Sequence, residues 1–101
     1  MNGRLSSAAD APSEGERTEL LARGSGFTVE QILSGRLVEP QDYGQDHDEW
    51  VVVLAGGAEL EVDGVAHQLT AGDWWLLPAR TPHRLVRTEP GTSWLAVRST
   101  D

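Results

Sequence analysis

The chain has 101 residues, no Cys, no Lys, eight Arg and a formal charge of −8. Those absences exclude a disulfide frame, a thiolate metal site, a thiol nucleophile, a Schiff base and a phosphate-loop lysine. The acidic balance speaks against nucleic acid as a partner, and no apolar run is long enough for a membrane span or a signal core, so the expectation is a soluble, cytoplasmic protein.

Residues 1–24 are rich in Ser, Gly and Ala and poor in bulky side chains. They read as a largely flexible tail, because such a composition buries too little surface to offset its ordering entropy. Within it, residues 19–23 suggest one helical turn that stops at Gly24. The domain itself is then residues 25–101. From Phe27 onward, short apolar runs alternate with Gly, Pro and Asp in the manner of an all-β domain. Strands are expected at 27–33, 36–39 and 50–55, the last rich in β-branched residues. Gly56-Gly57 turns the chain into 58–62, where apolar and acidic residues alternate strictly and set Ala58, Leu60 and Val62 on one face. Asp63-Gly64 is a strong two-residue hairpin signal. Strands at 65–70, 74–77, 83–87 and 93–97 complete a sandwich or barrel.

Two of these strands, 50–55 and 74–77, are apolar on both faces, whereas a half-exposed strand would alternate. Either the N-terminal segment or a second subunit must cover their outer side. With only 39 % apolar residues in a small domain, a homodimer is the favoured expectation.

Five acids lie in residues 39–49, and the run leads directly into the strongest strand. Side chains two apart on an extended segment share a face, so Gln45, His47 and Glu49 point the same way if the segment is extended. His47 and Glu49 form a His-x-Glu pair, and His83 opens a later strand. Two imidazoles and a carboxylate are the ligand set of an open divalent-metal site.

From about Glu39 to Val97 the sequence resembles a small single-domain cupin. The run from Gly72 through Pro78 to His83 matches the family's second motif, and Glu49 with Gly56 matches the end of its first. The resemblance implies a double-stranded β-helix, a jelly-roll barrel of two facing sheets, with any metal inside the barrel mouth. Glu49 and His83 fall on the family's ligand positions. Tyr43 and Gln45 stand where the first motif places its two His, and His47 lies two residues late, so the implied metal set is His47, Glu49 and His83 with help from Gln45. Arg80 replaces the second motif's Gly, and Arg87 its Asn.

Arg80, Arg84 and Arg87 are the one concentration of positive charge. Arg87 shares His83's parity along the strand, so it is expected to enter the barrel, there to fix a substrate carboxylate or to neutralise Glu49. Arg80 and Tyr43 are the other substrate-binding candidates, while His67 reads as a structural or surface histidine. The resemblance therefore implies a cupin that binds Fe, Mn, Ni or Zn and acts on a small anionic molecule as a dioxygenase, isomerase or lyase. The alternative is a non-catalytic cupin that binds a small ligand and whose metal site is degenerate. A sugar-nucleotide epimerase is a third reading. Fold alone does not choose among them.

Overall fold

The alternation at 58–62 does bury Ala58, Leu60 and Val62. The Asp63-Gly64 pair that follows turns with φ of 50° and 80°, the paired positive values that a tight hairpin demands. The computed structural model describes residues 1–100. A short 3-10 turn at Ala8–Asp10 precedes nine strands: β1 (Glu16–Gly24), β2 (Phe27–Ser34), β3 (Gln41–Tyr43), β4 (Glu49–Ala55), β5 (Gly57–Val62), β6 (Val65–Thr70), β7 (Trp74–Leu77), β8 (His83–Thr88) and β9 (Thr92–Ser99). They form two antiparallel sheets, of order β1-β2-β9-β4-β7 and β3-β8-β5-β6. No helix among the described residues is long and apolar enough to cross a membrane.

The sheets face each other, and their inner residues make the core. Val51 and Val53 of β4, Leu77 of β7 and Trp94 of β9 belong to one buried cluster with Leu60 of β5 and Leu85 of β8. Each such burial contributes about 1.5–3 kcal/mol. The jelly-roll barrel expected from the resemblance is the fold observed, and β2 and β4–β9 match their expected bounds to within two residues.

Three segments differ. Residues 19–23 lie in β1, not in a helical turn, and β1 pairs along its length with β2. The adjacent Leu20 and Leu21, which no strict alternation accommodates, sit at a register shift between Leu20 and Ala22, where a bulge absorbs the extra residue. The expected boundary at 24/25 therefore falls inside the β1–β2 hairpin. Residues 36–39 make no strand, only an isolated bridge from Arg36 to Glu14. The short β3, by contrast, pairs with β8 in a stretch expected to be loop.

The segment ahead of β1 crosses the outer face of the five-stranded sheet. Gln31, 1 % exposed, holds it with both ends of its amide: Oε1 accepts from Ser6 N at 2.9 Å, and Nε2 donates to Ser6 O at 2.9 Å and to Ser93 Oγ at 3.0 Å. Further along, Arg36 N donates to Ser13 O and Gly35 N to Gly15 O. This strap covers the β2–β9 side only. Around β4 and β7 the outer face carries Trp74 at 60 % exposure and Leu76 at 53 %, with the Trp50 ring 6.1 Å from that of Trp74.

Gly35 is where strap and sheet come closest, since a Cβ there would lie 2.1 Å from Pro12 O and 2.5 Å from Ser13 C. Both are backbone atoms with no flexible end to swing away. Gly35→Ala is expected to destabilise the fold by about 1–3 kcal/mol. Hydrogen exchange checks the cause: the Gly15 and Arg36 amides lose protection while the β4 and β9 amides keep theirs.

Candidate functional site

The antiparallel registers set the site. Glu49, at the start of β4, lies opposite Leu77 on one side and Arg98 on the other. Arg98 belongs to β9, whose residues Trp94, Ala96 and Arg98 share the inner face. Arg98 Nε donates to Glu49 Oε2 at 2.6 Å, and its Nη1 stands 3.3 Å from Glu30 Oε2. The second is a charge contact without hydrogen-bond geometry, and Glu30 Oε2 is buried with no hydrogen-bond partner. Burial works against the Arg98 charge, but the hydrogen bond to Glu49 and the charges of Glu49 and Glu30 outweigh it and hold the guanidinium above its ordinary value.

Across the barrel Tyr43 of β3 pairs with His83 of β8. Their rings stack at 5.3 Å and 14°. His83, itself buried, has Nδ1 3.2 Å from Thr81 O. A carbonyl only accepts, so this bond assigns the proton to Nδ1 and leaves Nε2 as an acceptor in the neutral ring. The loop before β4 is fixed at several points: Asp48 N donates to Ser99 Oγ, Ala79 N to Asp48 Oδ1, and Arg80 N to Gln45 O at 2.7 Å.

Tyr43, Gln45, His47, Glu49 and His83 all line one cavity of about 370 Å³, with Arg98, Glu16 and an apolar floor that includes Val51, Leu60 and Trp94. Five of the seven expected site residues therefore meet. Glu16, from β1, takes a hydrogen bond from Ser34 Oγ at 2.8 Å and one from the Tyr43 hydroxyl at 3.4 Å. The same Ser34 oxygen accepts from Trp94 Nε1 at 3.2 Å. The Tyr43 phenol is pushed up to about 12, first by removal from water and then by the Glu16 and Glu49 charges. It is thus held as a neutral donor.

The expected metal set is not assembled. Among the described residues no three His, Asp or Glu groups stand close enough to share an ion. Glu49 already has a cationic partner in Arg98, and Gln45 Nε2 is buried without a partner. The donors as arranged do not fit a divalent metal.

Arg87 and Arg80 need correction as well. A register shift between Glu59 and Leu60, opposite Arg87 and Leu85, makes a bulge on β8 that reverses the parity counted from His83. Arg87 consequently faces outward, donates to Gln68 Oε1 at 2.8 Å and approaches Glu89. Arg84 pairs with Asp42 on the same outer surface. Arg80 lies outside the cavity lining with φ of 62°, left-handed backbone at the position where the cupin motif has Gly. The neutralising arginine exists, but it is Arg98. Its alternation with Trp94 and Ala96 was the available signal, and Glu16 had none, since β1 has no local strand pattern. His67, expected to be a structural or surface histidine, packs its ring 4.2 Å from that of Trp75.

The Cupin_2 family model, described as a cupin domain, matches residues 28–97. Together with the two-sheet barrel and the cavity at its mouth, that match defines the class: the chain belongs to the cupin family. It is similar to a Ralstonia eutropha protein provisionally named a mannose-6-phosphate isomerase, at 30 % identity and a TM-score of 0.77, with 98 % of this chain and 100 % of that chain covered. It also resembles KdgF from a Halomonas species (23 % identity, TM-score 0.78, coverage 86 % and 82 %) and an RmlC-like cupin of Shewanella frigidimarina (22 %, 0.74, coverage 99 % and 93 %). At those identities the last two likenesses concern the fold alone. Comparison with curated proteins gave no match.

Tyr43 is the single tyrosine, so its ionisation is directly readable from phenolate absorbance. It is expected to half-ionise near pH 12 in the folded protein, against about 10 for an unfolded chain. The folded state holds this proton more tightly, so the associated stability is complete below pH 10 and is lost as pH rises through 12. Glu16→Gln is expected to lower the midpoint only part of the way, because burial remains.

Proposed function

We propose that this cupin binds a small organic molecule in the barrel mouth without a divalent metal, the cation there being the Arg98 guanidinium. The observation that carries the reading is the 2.6 Å hydrogen bond between Arg98 Nε and Glu49 Oε2. A divalent ion held by Glu49 would stand beside that guanidinium. At about 4 Å and an effective dielectric constant of about 20, their repulsion is on the order of 8 kcal/mol. Among the described residues no cluster of three His, Asp or Glu groups gathers to offset that. The Fe, Mn, Ni or Zn centre implied by the family resemblance is thus the less supported reading, and a ligand pocket of about 370 Å³ with a partly apolar lining the better supported one.

Metal analysis tests this directly. Folded protein equilibrated with Fe(II), Mn(II), Ni(II) or Zn(II) and then dialysed is expected to retain far less than one equivalent. Stoichiometric retention that disappears in His83→Ala would overturn the reading.

We also propose that two copies pair through the outer face of β4 and β7. Trp50, Val52, Trp74 and Leu76 lie there uncovered by the strap, and exposed apolar area of this kind marks an interaction surface. Sedimentation equilibrium is expected to give twice the 11.0 kDa chain mass. Trp74→Glu is expected to return it to the single-chain value with an unchanged far-UV spectrum; a single-chain mass for the wild type rejects the dimer.

A further inference from the structure

We infer that the molecule taken by the barrel mouth is a small organic cation, carrying an ammonium group, in preference to a phosphate or carboxylate compound. The inference rests on the metal-independent pocket proposed above and concerns its charge selectivity.

Charge at the mouth is the first argument. Arg98 is the one cationic side chain on the cavity wall, and it is already engaged by two carboxylates, Glu49 at 2.6 Å and Glu30 at 3.3 Å. Glu16 adds another negative charge from β1, so two carboxylates, Glu16 and Glu49, face one guanidinium on the cavity wall, with Glu30 a third beside Arg98. The arginines that would have supplied an anion site, Arg84 and Arg87, are spent on the outer surface against Asp42 and Glu89.

Hydrogen-bonding direction is the second. Glu49 is already taken by Arg98 through Oε2, which leaves Glu16 as the carboxylate for an ammonium group. His83, with Nδ1 committed to Thr81 O, turns an acceptor nitrogen elsewhere. Glu16 has carboxylate lone pairs beyond the two donors it already receives. Tyr43, the natural donor, already directs its hydroxyl hydrogen bond to Glu16. The wall thus presents acceptors with net negative charge, which match the three N–H bonds of an ammonium group. Gln45 Nε2, a buried donor without a partner, suits a hydroxyl or ether oxygen on the same molecule and does not change the sign of the field. The floor of Val51, Leu60 and Trp94 accepts a short carbon chain.

A matched series of four-carbon probes tests the inference in the full-length protein: 1,4-diaminobutane, 1,4-butanediol and succinate, each titrated into isotope-labelled protein and followed by amide and indole NMR shifts. The diamine is expected to shift the amides of residues 43–49 and the Trp94 indole at the lowest concentration, with succinate weakest. Glu16→Gln, which keeps an acceptor at an exposed position while removing the charge, is expected to weaken the diamine about threefold to tenfold and leave the diol unchanged. Succinate or the diol binding at these residues as tightly as the diamine would overturn the cation preference while leaving the pocket reading intact. Diamine affinity insensitive to Glu16→Gln would also overturn it. Shifts confined to residues outside the mouth, or none with any probe, would reject the cation preference and the ligand-pocket reading together.

Discussion

A buried carboxylate needs a partner, and in this barrel the need is met by the opposite strand. Glu49 is 9 % exposed, and an unpaired charge at such a place costs several kcal/mol. Arg98 reaches it because β4 and β9 are in register there. The same pairing aligns Trp94 with Val53 and Ala96 with Val51, so the ion pair and the apolar floor beneath it are consequences of one alignment. The strand end is secured beyond it as well, where Ser99 N donates to Asp48 O and the loop bearing Gln45 and His47 is tied down.

This dependence explains how a cupin barrel can be retained while the chemistry at its mouth departs from the family's pattern. The core residues of β4–β9 specify the two sheets, and any inward side chains of suitable size at their ends are compatible with that core. Here those ends carry a Glu–Arg pair, a stacked Tyr–His pair and a second Glu from β1. Likeness in fold to other cupins therefore transfers the scaffold and the location of the pocket, and the residues facing the pocket decide what it accepts.

Most of the barrel was legible in the sequence because its signals are local. The alternation at 58–62, the Asp63-Gly64 turn and the β-branched run at 50–55 each fix an element by short-range chemistry. What was not legible depended on pairing. β1 has adjacent leucines and few apolar residues, and it becomes a strand only because β2 offers an edge. Arg87 was misplaced because a bulge, invisible in a period-two count, reverses β8 between Leu85 and Arg87. In the site, Tyr43, Gln45, His47, Glu49 and His83 were found through motif spacing, whereas Arg98 lay just beyond the last motif and Glu16 came from a segment read as tail. The idea of an arginine neutralising Glu49 was right in kind and assigned to the wrong strand.

The Gln31 amide reads the backbone of Ser6 and not its side chain, since both bonds go to main-chain atoms. Such a clasp is indifferent to which residues precede β1, provided the chain runs extended at that point. Side chains add to it, Ser6 Oγ donating to the Glu19 carboxylate and Arg36 to Glu14, and the strand the strap leads into delivers one wall of the pocket. Glu16 thus reaches the pocket from a strand whose leading segment is anchored on the other face of the same sheet.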